Sequence, residues 1–210
     1  SRVGMDGVYR LAVLTRVSGM LMLRTFEQGA SETLPPRLLA ARFEEANLHF
    51  ARDGLLGIVW SSSTGAVDGF RDGPGGSPGA MGSITLGDGS TTSSVAVNVD
   101  GAPEFLVDGD DGWSHVSGDG RTLVRSGAIG FGTPKLVRTT DGTRYAMVFS
   151  PSGTTGLQTT LLTDRGGAWS VLTAFRGEGT ALMARPDGGV AATAITGRAG
   201  SKNLVLVECD

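Results

Sequence analysis

The chain holds one cysteine, two histidines and two tyrosines in 210 residues, and each scarcity removes a class of chemistry. Cys209 alone can form neither an intrachain disulfide nor a cysteine-based zinc site. It reads as a small apolar residue in a last strand. His49 and His115 both sit in alternating, strand-like runs, and no serine lies in a G-x-S-x-G context, so no nucleophilic triad is indicated. Nor does the spacing nominate a third ligand for a histidine-based metal site, and no cofactor is expected.

Basic clusters are missing too. Lysine and arginine are scattered singly through a chain of formal charge −3, which argues against a nucleic-acid-binding surface. No window approaches 18 consecutive apolar residues, so no membrane-spanning helix is expected. The first residues lack the charged-then-apolar order of a signal peptide, and a leader removed ahead of Ser1 is left open.

Glycine, by contrast, is plentiful at 34 residues, while proline is only 8 and charged residues 19 %. That combination lacks the proline-rich, highly charged bias of disorder and points to many turns. The turns recur in a pattern. LHFARDG at 48–54, VAVNVDG at 95–101, LVRTTDG at 136–142 and ALMARPDG at 181–188 each join an apolar run to Asp-Gly, and a second apolar run follows. Their aspartates, Asp53, Asp100, Asp141 and Asp187, are 47, 41 and 46 residues apart. A poorer fifth copy has Ser18-Gly19 in place of Asp-Gly.

Asp-Gly between β-prone runs predicts a two-residue type I′ hairpin, which needs positive φ at both central residues. A second turn-rich stretch follows each hairpin, as in LQTTLLTDRGGAWSVLTAF at 157–175, giving about four strands per unit. Four antiparallel strands in about 40–50 residues is the period of a propeller blade. The expected fold is therefore an all-β propeller of about five four-stranded antiparallel blades, forming a single domain over 1–210. The ring would close by bringing the strand at 203–209 beside the N-terminal run VYRLAVLT.

Two stretches compete with all-strand structure. Pro36 and the good helix formers after it predict a short helix near 36–46, against a strand by analogy with PKLVRTT at 134–140. Asp68 to Gly82 reads as a long glycine- and proline-rich loop. Its glycines have neither a Lys-Ser/Thr ending nor a strand-to-helix context, so they do not form a phosphate loop.

Leu162-Thr-Asp164-Arg-Gly166-Gly-Ala-Trp169 resembles the Asp-box of sialidase-like β-propellers, Ser/Thr-x-Asp-x-Gly-x-x-Trp, with Leu162 at the first position. The resemblance implies a propeller and a structural hairpin turn, in which Asp164 and Trp169 carry no chemistry. Sialidase-type hydrolysis would further require an arginine cluster, a tyrosine nucleophile with a glutamate partner, and an acid. Tyr9 and Tyr145 are the only tyrosines, and Tyr145 lies in an apolar alternation.

Trp60, Trp113 and Trp169 recur late in three units. On a blade edge they would offer flat faces to pyranose rings; between blades they would only fill space. Asp108, Asp110 and Asp111 form the densest acidic group, but the adjacency of Asp110 and Asp111 breaks the EF-hand order, leaving a solvated turn as the plain reading. The function expected from the sequence is thus a non-enzymatic module that binds a glycan or protein ligand. Its candidate ligand-binding residues are Trp60, Trp113, Asp108, Asp110 and Asp111, and it would be extracellular or virion-associated. The alternatives are a self-assembling part of a phage tail or extracellular structure and, behind it, a sialidase-like glycoside hydrolase. Degenerate polar positions among the repeats weigh against identical multivalent sites.

Overall fold

A computed structural model of the chain describes residues 2–3, 9–29, 36–50, 55–62, 66–73, 76–85, 92–98, 103–109, 112–117, 122–126, 134–151, 157–165, 167–185, 187–198 and 201–209. Its strands fall into five antiparallel sheets that follow one another along the chain. The first holds β1 (Arg2–Val3), β2 (Tyr9–Val17), β3 (Met20–Glu27) and β4 (Arg37–Ala40). The second holds β5 (Ala46–Phe50), β6 (Leu56–Ser61), β7 (Ala66–Gly73) and β8 (Gly76–Thr85). The third comprises β9 (Thr92–Asn98), β10 (Glu104–Gly109), β11 (Gly112–Ser117) and β12 (Thr122–Ser126). The fourth comprises β13 (Lys135–Arg138), β14 (Arg144–Pro151), β15 (Leu157–Thr163) and β16 (Ser170–Arg176). The last has only β17 (Glu178–Ala184), β18 (Val190–Arg198) and β19 (Ser201–Cys209). In each sheet the strands lie in chain order, and the first strand of one sheet approaches that of the next: β5 packs on β9, β9 on β13, and β13 on β17.

Alternation along the strands explains why the sheets stack. Successive side chains point to opposite faces, so an apolar run on a strand buried from both sides feeds two cores at once. Val95 and Val97 of β9 join Phe105, Val107, Val59 and Val67 between the second and third sheets. Ala96, with Leu106 and Trp113, packs instead on Leu136, Ala146, Val148 and Leu162 of the fourth sheet. Tyr145, Met147 and Phe149 of β14 turn the other way, against Val190 and Ala192 of the fifth. Ala12 and Leu23 meet Leu56, Ile58 and Phe70 between the first and second. Each fully buried leucine, valine or phenylalanine contributes about 1.5–3 kcal/mol, so these four interfaces hold the five sheets in one stack.

All four Asp-Gly pairs fall between the first and second strands of their sheets, as equivalent units require. The turn type differs from expectation. Thr139 N donates to Thr143 O (2.9 Å) and Gly142 N to Thr139 O (3.0 Å), with Gly142 at φ +92°, which makes a three-residue loop with a glycine bulge. Arg185, Gly188 and Gly189 repeat this pattern at the other described Asp-Gly turn. The aspartate itself need not adopt positive φ there, and its carboxylate caps the turn: Asp141 Oδ1 accepts from Thr139 Oγ1 (2.5 Å) and Thr143 N (3.0 Å). Among the described residues only Ser18 (φ +51°) and Gly19 (φ +82°) show paired positive φ. They join β2 to β3, one turn later in the sheet than the Asp-Gly pairs, so they are not the equivalent position in a fifth repeat.

Three further expectations are corrected. The stretch at 36–46 contains no helix: β4 covers Arg37–Ala40 and pairs with β3, so sheet pairing overrides the helix-forming composition. The glycine-rich stretch at 68–82 is largely strand, in β7 and β8. Register shifts between Gly69 and Phe70 and between Arg71 and Gly73 absorb the irregularity, and Pro78 is tolerated because β8 is the edge of its sheet. Finally, β19 pairs with β18, and the N-terminal run pairs within the first sheet, which is complete with four strands, so the two ends of the chain share no sheet among the described residues. None of the described residues forms a helix long and apolar enough to cross a membrane.

Candidate functional site

Two groups of ionisable side chains are organised by this stack. The first lies between the third and fourth sheets. Glu104 opens β10 and is buried, and Arg144 opens β14 and grips it: Nη2 donates to Oε1 (2.6 Å), and Nε donates to both Oε1 (2.9 Å) and Oε2 (2.8 Å). Arg144 Nη1 also donates to Asp164 Oδ2 (2.8 Å), and its backbone N to Asp164 Oδ1 (2.6 Å). The Asp-box-like turn is therefore pinned to the start of β14, the structural role that its resemblance implied. Gly166 lies outside the described residues.

His115 completes this group. Trp169 Nε1 donates to His115 Nδ1 (3.4 Å), which leaves Nε2 facing Glu104 Oε2 at 3.6 Å, beyond hydrogen-bond length. Burial pushes the Glu104 carboxyl up, but the adjoining His115 and the hydrogen bonds and charge of Arg144 outweigh it and hold it at about 2. A carboxylate so fixed stays ionised and paired at neutral pH, so it cannot lend or take a proton there. This cluster is an anchor between sheets.

The second group gathers where the inner strands begin. Glu44 N donates to Ser61 O and Ser61 N to Glu45 O, both at 2.9 Å, extending the second sheet's ladder just ahead of β5. Arg16, from β2, clamps this segment: its Nη2 donates to Glu44 O (2.7 Å) and Phe43 O (3.2 Å), and its guanidinium lies 4.4 Å from the centre of the Phe43 ring. Glu45 is half-buried. Burial pushes the ammonium of Lys135, the first residue of β13, below its ordinary value, while the nearby Glu45 carboxylate pushes it up. Glu45 and Lys135 belong to the second and fourth sheets, with the third between them. The first strands of these sheets are linked through β9, which packs on both β5 and β13.

Glu45 and Lys135 escaped the sequence reading. Glu45 stood in the stretch read as either a short helix or a strand, and Lys135 in an ordinary strand. With the sheets in view a signal appears: Glu45, Lys135 and Glu178 precede the Asp-Gly aspartates Asp53, Asp141 and Asp187 by 8, 6 and 9 residues and sit at or just before the first strand of their sheets.

The residues nominated from sequence scatter. Trp60, on β6, is half-buried against the core between the first and second sheets. In register it lies opposite Ala46 and Asp68, at the same end of the sheet as Glu45. Trp113 is buried between the third and fourth sheets, edge-on to Trp169 with centroids 5.7 Å apart, so its ring fills space and offers no face to a ligand. Asp108 lies on β10 opposite Trp113, and Asp110 and Asp111 fall outside the described residues. The sialidase-type set is not assembled among the described residues either. Tyr145 is buried in the core between the fourth and fifth sheets with Arg165 Nη2 3.2 Å from its hydroxyl, and Arg144 is committed to Glu104 and Asp164.

No protein-family model matches the chain, and no curated protein matches it. Solved structures do share its fold. A protein of unknown function from Bacteroides caccae superposes with a TM-score of 0.52 at 13 % identity, over 89 % of this chain and 68 % of its own. An exo-β-1,3-galactanase from Clostridium thermocellum superposes with a TM-score of 0.51 at 11 % identity, over 96 % of this chain. The chain spans 56 % of that enzyme's length. These likenesses establish the all-β, propeller-like architecture.

They also correct the functional expectation. The non-enzymatic reading rested on the absence of a recognisable catalytic motif, yet an exo-β-1,3-galactanase is built on the same architecture. Missing sequence motifs therefore do not exclude enzymatic activity in this fold, and the non-enzymatic expectation falls.

Proposed function

We propose that the chain is the propeller of a glycoside hydrolase, acting at the end of the stack where the inner strands begin. The observation that carries this reading is the fold likeness to an exo-β-1,3-galactanase over 96 % of the chain. Glycoside hydrolysis calls for two carboxyl groups flanking the scissile bond, one to protonate the leaving oxygen and one to activate water or attack the sugar. Glu45 and Glu178, each at the start of an inner strand, are the pair on offer. Lys135 supplies a positive charge beside Glu45, and the half-buried Trp60 supplies an apolar surface at the same end for a sugar ring.

The test is release of reducing sugar by the purified chain from β-1,3-galactan, galacto-oligosaccharides and a panel of aryl glycosides. Glu45→Gln is expected to lower kcat/KM by about 10²–10⁴, the range for removal of a general acid or base, with the fold intact by circular dichroism. A folded protein inert on the whole panel, or a fully active Glu45→Gln variant, would overturn the assignment.

A further inference from the structure

The segment that leads into β5 does not join its sheet one residue against one. Glu44 N donates to Ser61 O while Ser61 N donates to Glu45 O, both at 2.9 Å, so two residues stand against a single partner. Immediately afterwards the register is regular, with Ala46 opposite Trp60. Two against one is a β-bulge, which breaks the alternation of side chains and re-aims those it carries. The direction of the Glu45 carboxylate is therefore set by the backbone of this bulge. Ser61, on the other side, is fully buried and fixes where the bulge must sit.

A side chain of a different sheet holds that backbone. Arg16, on β2, donates through Nη2 to Glu44 O (2.7 Å) and to Phe43 O (3.2 Å), and its guanidinium lies 4.4 Å from the centre of the Phe43 ring. The bonds to the carbonyls are charge-assisted, and such bonds are roughly twice as strong as neutral ones. A planar guanidinium can stack on a ring and still present donors in its plane, which an ammonium cannot match. We infer that Arg16 is a positioning residue, which grips the Glu44–Glu45 bulge from the first sheet and so aims the Glu45 carboxylate. Aim matters because a misplacement of about 1 Å at a reacting group costs about 10² in rate. The catalytic consequence rests on the glycoside-hydrolase reading proposed above; the grip on the bulge does not.

Lys135 reports on that aim without any substrate. Lys135 and Lys202 are the only lysines of the chain, so reductive methylation with carbon-13 followed by an NMR pH titration resolves the Lys135 amine, with Lys202, exposed on β19, as the internal reference. The Glu45 carboxylate pushes the Lys135 ammonium up, so Glu45→Gln should lower its titration midpoint. Arg16→Met keeps an apolar stem over Phe43 but loses the donors; it too should lower the Lys135 midpoint, and the R16M/E45Q double variant should lower it no further than E45Q does. The direct effect of deleting a cation has the opposite sign, since it relieves repulsion and raises the midpoint of a neighbouring ammonium. Arg16 is exposed, so the variants fold, which circular dichroism checks. In hydrolysis, Arg16→Met should lose about 10–100-fold in kcat with KM changed by no more than about twofold, and Arg16→Lys should fall between it and the wild type. An unchanged or raised Lys135 midpoint in folded Arg16→Met would overturn the proposal whatever the activity. A lowered midpoint with undiminished hydrolysis would uphold the grip and remove Glu45 from the chemistry, which tells the failure of the one reading from that of the other.

Discussion

Arg144→Ala is expected to destabilise the protein by about 3–5 kcal/mol, because it strands a buried carboxylate rather than merely removing a contact. The Glu104 side chain is 5 % exposed, and three of the hydrogen bonds that satisfy it come from Arg144. Without them the carboxylate is left facing the His115 imidazole at 3.6 Å, beyond hydrogen-bond length. The same substitution removes the Nη1 bond that Asp164 accepts, loosening the β15–β16 turn. For a chain of this size the loss corresponds to about 10 °C in Tm, readable by urea or thermal unfolding. Arg144→Lys keeps the charge but not the fork of donors and should fall between the two. Replacing both partners by apolar residues, Glu104→Leu with Arg144→Met, should recover most of the loss, since a buried ion pair seldom outperforms well-packed apolar side chains.

The same pair sets an acid limit on stability. Glu104 is held at about 2 in the folded protein against an ordinary 4.5, so the folded state binds its proton less readily than the unfolded chain does. The stabilisation is fully present above about pH 4.5 and is lost as the pH falls toward 2. Urea midpoints measured down this range should decline steeply for the wild type and more gently for the Glu104→Leu/Arg144→Met variant. Equal slopes would show that other carboxylates dominate the acid response.

How far the sequence revealed this architecture depends on which interactions are local. Asp-Gly turns announce themselves in a few residues, and they marked the first hairpin in four of the five sheets. Their three-residue form did not show, because the choice turns on Asp141 accepting bonds from Thr139 and Thr143 rather than on composition. The edge position that tolerates Pro78, and the pairing that makes Arg37–Ala40 a strand, are likewise decided by neighbours distant in sequence. The candidate site was less legible still. Glu45 and Lys135 are about 90 residues apart, and only the ordering of whole sheets brings them within each other's field. Trp113, nominated for its flat ring, is used for that ring's bulk, packed edge-on against Trp169.

Gly177→Ala should cost about 2–4 kcal/mol, although the side chain added is a single methyl group. Gly177 is the sole residue between β16 and β17, so the chain crosses from the fourth sheet to the fifth through it. It does so at φ +128°, outside the range that L side chains comfortably adopt, and an added Cβ would lie 2.5 Å from Ile195 O and 2.8 Å from Thr196 Cγ2. Relief by a shift of the crossing is opposed by Thr159, which is fully buried on β15: its hydroxyl donates to Gly177 O (2.7 Å) and accepts from Gly179 N (3.0 Å). Gly188→Ala separates the two penalties. Gly188 also has positive φ, at +98°, but open space where the methyl would go, so only the backbone cost of about 1–2 kcal/mol applies. The fifth sheet carries its own reporter in Cys209, half-buried against the core it shares with the fourth. Loosening of the crossing should therefore speed thiol labelling of Cys209 in Gly177→Ala, by up to about a hundredfold if opening of this sheet limits the reaction. Equal urea midpoints for the two glycine variants, with labelling unchanged in both, would mean that the collision at Ile195 is relieved without cost and that the single-residue crossing does not hold the fifth sheet in place.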